Sequence, residues 1–209
     1  MKCKVYILIL FMLSSICSFS QVAQLNRKLS AEIDSLKNED QKPATIPNGK
    51  DAEAAFKMVI RTNFPLIKNI LETYGFPGYD LVGKESSNNY WLLVQHSDFD
   101  LPFQKRAQKL MEAQVKKHNA SGNNYAYLVD RININEGKKQ IYGTQIQMTD
   151  NGYQPKPLID SLNVDERRKK VGLITLSEYL TKANEAFNEM NKGRGHITIK
   201  EQPKDTIKH

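Results

Sequence analysis

The sequence predicts a mainly helical fold, a helical bundle that carries a small two-stranded β-hairpin. Through most of the chain, apolar residues recur at steps of three and four, which is typical of amphipathic helices. The period changes at Gln140–Met148, which is rich in strand-forming residues. The turn sequence Asp150-Asn-Gly152 follows and indicates a hairpin. We therefore expect helices throughout, with a hairpin at residues 140–158.

Length and composition fit one modest domain. The chain has 209 residues, of which 40% are hydrophobic and 25% charged, as in ordinary globular proteins rather than disordered or collagen-like chains. Its net charge of +7 comes from 30 basic and 23 acidic residues. The basic residues are neither clustered nor interleaved with aromatic residues, so we expect no nucleic-acid partner.

The first twenty residues have the three zones of a secretory signal peptide. Lys2 and Lys4 give it a basic start, and Val5–Leu13 form its apolar core. Ser18 and Ser20 are small residues at cleavage spacing. The apolar core is short for a hydrocarbon layer of about 30 Å, which favours a cleaved signal over a retained span. We expect residues 1–20 to be removed and the protein to be periplasmic or extracellular, without a stable membrane span.

Both cysteines, Cys3 and Cys17, lie inside that segment, so the exported chain is expected to be free of disulfides. Its stability then depends on its hydrophobic core. Lipidation of Cys17 is the alternative, but Ile16 is bulky where lipoprotein signals have a small residue. A lipid anchor is therefore the less favoured interpretation.

The predicted elements follow in chain order. Residues 21–50 form an N-terminal helix, over about Gln21–Asn38, and a linker containing two prolines. Residues 51–193 form a single domain, and residues 194–209, which lack an apolar face, form a flexible tail. Inside the domain we predict a helix from Asp51 that breaks at Asn63, because Pro65 costs about 3 kcal/mol inside a helix.

Further helices follow that break. They comprise one that carries Leu66 to Leu71 and ends at Gly75, one capped by Ser86–Asn89 with a fully buried run at Tyr90–Val94, one after Asp98–Pro102, one near Asn124–Glu136, Val164–Val171 with Asn163 as its cap, and a last one that opens with Thr175 and Glu178. In the hairpin, Pro155 and Pro157 make Tyr153–Leu158 an edge strand.

His96 is the first candidate for chemistry, because histidine titrates near neutral pH and serves as a general base, acid or metal ligand. Gln95 and Asp98 flank it, and Asp98 could orient the ring. The alternative is a histidine at a helix C-terminus that interacts only with the helix dipole.

Asp130 and Arg131 are the second candidate. At about 100° per residue, both point away from the apolar stripe of their helix, which is Tyr125, Leu128, Val129 and Ile132. They form either a solvated face or, if the hairpin covers that side, part of a site. Tyr127 and Ile134 on the same side favour such a cover.

The third candidate is a polar strand with Gln140, Tyr142 and Thr144 on one face and Ile141, Gly143 and Gln145 on the other. Its amides, phenol and hydroxyl suit a neutral polar ligand, and the alternative is an edge strand kept polar against aggregation.

Arg168 is the fourth candidate. It shares a helix face with Val164 and Val171, so it could turn inward and pair with a carboxylate or an anionic ligand.

Several short motifs occur in one order. They are Gly75-Phe-Pro-Gly78, Leu81-Val-Gly83, Trp91-Leu-Leu-Val-Gln-His96 with Asp98, Phe103-Gln104, Ala126-Tyr-Leu128 with Asp130-Arg131, Gln140-Ile-Tyr-Gly-Thr-Gln145, Val164-Asp-Glu-Arg-Arg168, Val171-Gly-Leu173 and Glu178-Tyr-Leu180. From about Leu25 to Leu180 the chain thus resembles a bacterial domain-of-unknown-function family, number 6624. Asp40-Gln41 resembles the family's early Asp-Gln pair, without the arginine expected after it. The resemblance implies no reaction, but it supports one shared site for His96, Asp130, Arg131, Tyr142 and Gln145.

Two hypotheses follow for function. The sequence lacks the zinc-protease, nucleophile-elbow, phosphate-loop and dinucleotide motifs. His96 and Asp98 alone do not make a metal site, and the sequence does not identify a cofactor. The favoured hypothesis is an exported protein that binds a polar small molecule, glycan or peptide through the candidate residues. The alternative is an exported hydrolase in which His96 is the general acid or base, Asp130 orients or acts as a second acid, Arg131 holds an anionic group, and Tyr142 and Gln145 donate hydrogen bonds.

Overall fold

A computed structural model describes residues 25–46 and 49–191. The predicted fold class is confirmed, because these residues form seven α-helices and one two-stranded antiparallel sheet. The expected signal peptide and C-terminal tail lie outside the described residues. In the ranges that the structure covers, no helix is both long and apolar enough to cross a membrane.

The elements have the following bounds. They are α1 Arg27–Gln41, a 3-10 turn Lys42–Thr45, α2 Gly49–Tyr74, α3 Tyr79–His96, α4 Leu101–Lys116, α5 Gly122–Asn135, β1 Ile146–Thr149, β2 Gly152–Pro155, a 3-10 turn Ser161–Asn163, α6 Val164–Lys170 and α7 Leu176–Asn191. Side chains of Asn26, Asp100 and Ser121 cap α1, α4 and α5 by accepting hydrogen bonds from backbone N–H groups of the first turn.

The predicted break at Asn63 is wrong, since α2 continues through Pro65. The ring of Pro65 is exposed, while the apolar stripe buries Ile60 before it and Ile67 after it. Burying a large apolar side chain contributes about 1.5–3 kcal/mol. Burial of the whole stripe therefore offsets the free-energy cost of a proline inside the helix.

The predicted caps at Ser86–Asn89 are also wrong, because α3 begins at Tyr79 and passes through these residues. A kink at Gly83, with φ 81° and ψ 165°, interrupts it. Next to the kink, the Ser30 hydroxyl donates to the Val82 carbonyl at 2.8 Å. A hydrogen bond from α1 thus satisfies a carbonyl beside the irregular turn.

The core is built around α3. Tyr90, Leu93 and Val94 are buried, and the Tyr90 hydroxyl donates to the Ile67 carbonyl of α2 at 2.9 Å. Trp91 and Leu92 in the same run are only partly buried. Helices α1, α2, α4 and α5 contribute the surrounding apolar residues, among them Leu29, Ile33, Ile70, Leu71, Ala107, Met111, Leu128 and Ile132.

The hairpin is shorter than its sequence pattern suggests. Strands β1 and β2 pair from Ile146 opposite Pro155 to Thr149 opposite Gly152, with the predicted turn between them. The expected strand over residues 140–145 is wrong, since Gln140 forms only an isolated bridge to Leu158. Residues 141–144 instead wrap around the buried carboxylate of Asp130 on α5.

Candidate functional site

His96, the last residue of α3, is held by a carboxylate of α1, which is distant in the sequence. Its Nδ1 lies 2.8 Å from Oδ2 of Asp40, on the last turn of α1 and 56 residues away. Asp40 is 2% exposed, and the side-chain amide of Gln41 donates to the same oxygen at 2.7 Å. The group that orients the His96 ring is therefore Asp40, whereas the sequence suggested Asp98.

Two grooves meet at the His96 ring. One, the Phe99 groove, encloses about 250 Å³ and is lined by Phe56, Lys57, Ile60, Arg61, His96, Asp98 and Phe99. The other, the Pro43 groove, encloses about 360 Å³ and is lined by Asp40, Gln41, Pro43, Ala44, Ala52, Glu53, Phe56 and His96. Phe56 separates them and packs edge-on against the imidazole, with ring centroids 5.0 Å apart.

The Phe99 groove holds a guanidinium with no carboxylate partner among the described residues. Cζ of Arg61 lies 4.5 Å from the centroid of the Phe99 ring, a cation–π contact. Lys57 in the same groove forms an exposed ion pair with Glu53. No sequence pattern pointed to Arg61 or Phe99, because Arg61 lies on the exposed side of α2 and Phe99 follows the end of α3.

Asp98 joins this groove to α5. Its carboxylate accepts from Arg131 Nε at 2.8 Å, from Gln104 Nε2 at 3.1 Å and from Asn135 Nδ2 at 3.0 Å. Burial by itself raises the pKa of Asp98, but these hydrogen bonds and the Arg131 charge lower it overall below its ordinary value. Arg131 is thus ion-paired with Asp98, which follows His96 by two residues in the sequence.

Gln95 lies beside this cluster. The side-chain amide of Gln104 donates to the Gln95 backbone carbonyl at 3.1 Å. Oε1 of Gln95 is buried and has no hydrogen-bond partner within the described ranges. Of the five residues in the hypothesis of a shared site, His96 and Arg131 therefore lie near Asp98, with Gln95 beside them.

Asp130 belongs to a different cluster. Its carboxylate is fully buried and accepts from the backbone N–H of Ile141 at 2.7 Å, of Tyr142 at 3.0 Å and of Thr144 at 2.9 Å. The Thr144 hydroxyl donates to it at 2.9 Å. A carboxylate offers about four acceptor positions, so Asp130 has none left for a ligand. The segment after α5 does cover this side of the helix.

Arg168 completes that second cluster from α6. It is 1% exposed, and it donates through Nε to the Ile174 carbonyl and through Nη1 to the Tyr142 carbonyl, both at 2.6 Å. Its Cζ lies 5.1 Å from the Tyr179 ring centroid. Burial lowers the pKa of Arg168, although a guanidinium stays protonated in proteins. Its inward orientation serves backbone carbonyls rather than a ligand.

The remaining sequence candidates also stabilise this segment. Gln140 is buried and spans the base of the loop, with Nε2 donating to the carbonyls of Gln145 and Lys156 and Oε1 accepting from the Gln145 N–H. The Gln145 amide contacts Thr144 Oγ1 at 3.3 Å. Burial raises the pKa of the half-buried Tyr142. Within the described chain, no hydrogen bond or ring contact links these residues to His96.

A row of aromatic rings lies between the two clusters. Trp91 contacts Tyr127 at a centroid distance of 6.4 Å, and Tyr127 contacts Tyr179 at 6.3 Å. Trp91 is one turn before Gln95, and Tyr179 covers Arg168. The candidate residues thus form two groups joined by packing, not one cavity. In the part of the chain that the structure describes, no three His, Cys, Asp or Glu side chains converge as a metal site.

Comparison with known proteins gives one match. The model of a family of unknown function, DUF6624, matches residues 46–192. No curated protein and no solved structure matches. The resemblance expected from the motifs is therefore confirmed. The matched range includes His96, Asp130 and Arg168 and begins after α1, so that Asp40 precedes it.

Proposed function

The chain belongs to the DUF6624 family. We propose that it binds a small organic anion in the Phe99 groove. The observation that carries the proposal is Arg61, whose guanidinium lies on the Phe99 ring in the same groove as His96 and has no carboxylate partner among the described residues. Binding of a polar small molecule remains the favoured function, narrowed to one chemical class.

The chemistry of the groove supports an anion with an apolar part. A guanidinium matches the oxygens of a carboxylate or phosphate, and stacking on a ring fixes its direction before the ligand arrives. Phe56, Ile60 and Phe99 supply apolar walls. The volume of about 250 Å³ lies just below the range of about 300–1,000 Å³ that is usual for small-molecule sites, which favours a compact ligand.

The second cluster supports the fold rather than this site. Asp130 accepts from backbone N–H groups and the Thr144 hydroxyl, and Arg168 donates to backbone carbonyls, so both side chains are used within the fold. If residues 1–20 act as a signal peptide, as we also propose, the protein meets its ligand in the periplasm or outside the cell.

Titration calorimetry with phenyl phosphate tests the proposal. The wild-type chain should bind it, and Arg61→Gln should weaken binding at least tenfold, since one charge-assisted contact contributes about 1.5–3 kcal/mol. The matched control is Arg27→Gln on the exposed side of α1, which should bind as tightly as wild type. Neutral phenyl glucoside should not bind.

Two outcomes would contradict the anion site. Equal affinity of wild type and Arg61→Gln would show that Arg61 does not hold the phosphate. Tighter binding of phenyl glucoside than of phenyl phosphate would favour a glycan instead.

A further inference from the structure

We infer that His96, oriented by Asp40, is a general acid–base catalyst that hydrolyses aryl phosphodiesters in the Phe99 groove. The inference rests on the proposed anion site, which would hold the phosphoryl oxygens. It develops the hydrolase alternative by giving His96 a partner, Asp40, which lies outside the residues that the family model matches.

The geometry fixes which nitrogen of His96 is available. Nδ1 faces the buried carboxylate of Asp40 at 2.8 Å, so it carries the proton that is donated to Oδ2. In the neutral ring, Nε2 is then the acceptor. Nε2 has no hydrogen-bond partner among the described residues, and the 17% exposed side chain lines the groove. A free acceptor nitrogen in a groove is what a general base requires.

Asp40 is a positioning residue in this arrangement. It is nearly fully buried and held by the Gln41 amide, so it fixes the tautomer and the direction of the ring without touching the substrate. Phe56 packs against the ring from α2 and restricts its rotation further. The ring is thus oriented before substrate binds, which is how a carboxylate supports a catalytic histidine in hydrolases.

The reaction uses water as the second reactant. A water oxygen attacks phosphorus while its proton passes to Nε2 of His96, and the bond between phosphorus and the aryl oxygen breaks. The proton on Nε2 then passes to the leaving phenol oxygen, or to solvent when the phenol leaves as an anion. The products are an aryl phosphate monoester and a phenol.

The groove favours a phosphodiester over other esters. The negatively charged phosphoryl oxygens of the substrate would face the Arg61 guanidinium, with Lys57 on the same helix. The acidic groups near His96 are Asp40, Asp98 and Glu53; Asp98 is paired with Arg131 and Glu53 with Lys57. Phe56 and Phe99 offer apolar surface to an aryl group.

Bis(4-nitrophenyl) phosphate and the full chain test the inference, with release of 4-nitrophenolate followed by absorbance. His96→Gln should lower kcat by at least 100-fold, within the range of about 10²–10⁴ that general acid–base catalysis contributes. Arg61→Gln should chiefly raise KM. The control His118→Gln, on an exposed histidine after α4, should leave both constants unchanged.

Asp40→Asn separates positioning from structure. The variant keeps the shape of the side chain, so it should lower kcat at least 30-fold with KM unchanged within about twofold, because the wrong tautomer is favoured and the anion site is intact. Circular dichroism checks that each variant is folded. If His96→Gln does not fold, the kcat of Asp40→Asn tests the inference.

The two proposals fail in different ways. Binding of phenyl phosphate without turnover of the diester by the wild-type chain overturns the catalytic role of His96 and leaves the anion site. Turnover that persists in folded His96→Gln or in Asp40→Asn also overturns it. Absence of phenyl phosphate binding overturns the anion site and this inference with it.

Discussion

Asp130 and Arg168 bind the backbone of the same residue, Tyr142. Its N–H donates to the Asp130 carboxylate at 3.0 Å, and its carbonyl accepts from Arg168 Nη1 at 2.6 Å. The two charged side chains come from α5 and α6, and both are buried. Each charge is compensated through backbone dipoles of the segment between them, so the pair defines the path of the chain from α5 into the hairpin.

Replacing Asp130 by Asn should strongly destabilise the protein. The variant keeps one oxygen but turns an NH₂ group toward backbone N–H donors, which leaves buried donors unsatisfied. Each such donor costs about 1–3 kcal/mol, so we expect a loss of about 3 kcal/mol in the free energy of unfolding. Urea denaturation measures it. Thr144→Val, which removes only the hydroxyl, should lose about 1 kcal/mol, and equal losses would contradict this role of Asp130.

Arg168→Lys should also destabilise the protein, although it keeps the charge. The ammonium of lysine cannot reach the Ile174 and Tyr142 carbonyls with the geometry of the guanidinium fork, so at least one buried hydrogen bond is lost. We expect a loss of about 2 kcal/mol. The control is Lys169→Arg on the exposed face of α6, which should change stability by less than about 0.5 kcal/mol. Similar unfolding midpoints for both variants would show that the fork is dispensable.

Alanine at Gly143 should destabilise the protein. Its φ is +70°, and a Cβ there would lie 3.0 Å from Cδ1 of Leu176. Gly137 has a φ of +72° with nothing within 4 Å, so it isolates the cost of the backbone conformation. We expect Gly137→Ala to cost about 1 kcal/mol and Gly143→Ala about 2 kcal/mol or more. Thermal unfolding compares them, and a larger cost at Gly137 would refute the contact with Leu176.

The ion pair of Asp98 should make stability depend on acid pH. Because the folded state lowers the pKa of Asp98, its contribution is present above the unfolded pKa of about 3.9 and is lost as the pH falls through the folded value. The pair is partly exposed, so Asp98→Asn should cost about 1 kcal/mol at pH 7. This difference should shrink below pH 4. Urea denaturation at pH 7, 5 and 3 measures it, and a constant difference would exclude the pair as its source.

The sequence by itself determined the mainly helical fold class, most of the helices in their order, and the hairpin turn. These features depend on interactions between residues a few positions apart, such as the apolar stripe of α5, the Thr175 cap of the last helix and the Asn151-Gly152 turn, so they are readable locally. The sequence also singled out His96, because histidine has distinctive chemistry, and Arg168, because it shares a face with buried valines.

Only the tertiary structure decided the partners of these residues and the continuity of α2. Asp40 meets His96 across 56 residues, and the Asp-Gln pair at the end of α1 was its only local sign. Asp130, a candidate acid by residue type, proved to be enclosed by the backbone of residues 141–144. A buried polar group binds whichever donors packing brings to it, and packing joins elements distant in the chain. Periodicity therefore predicted the elements but not these partners.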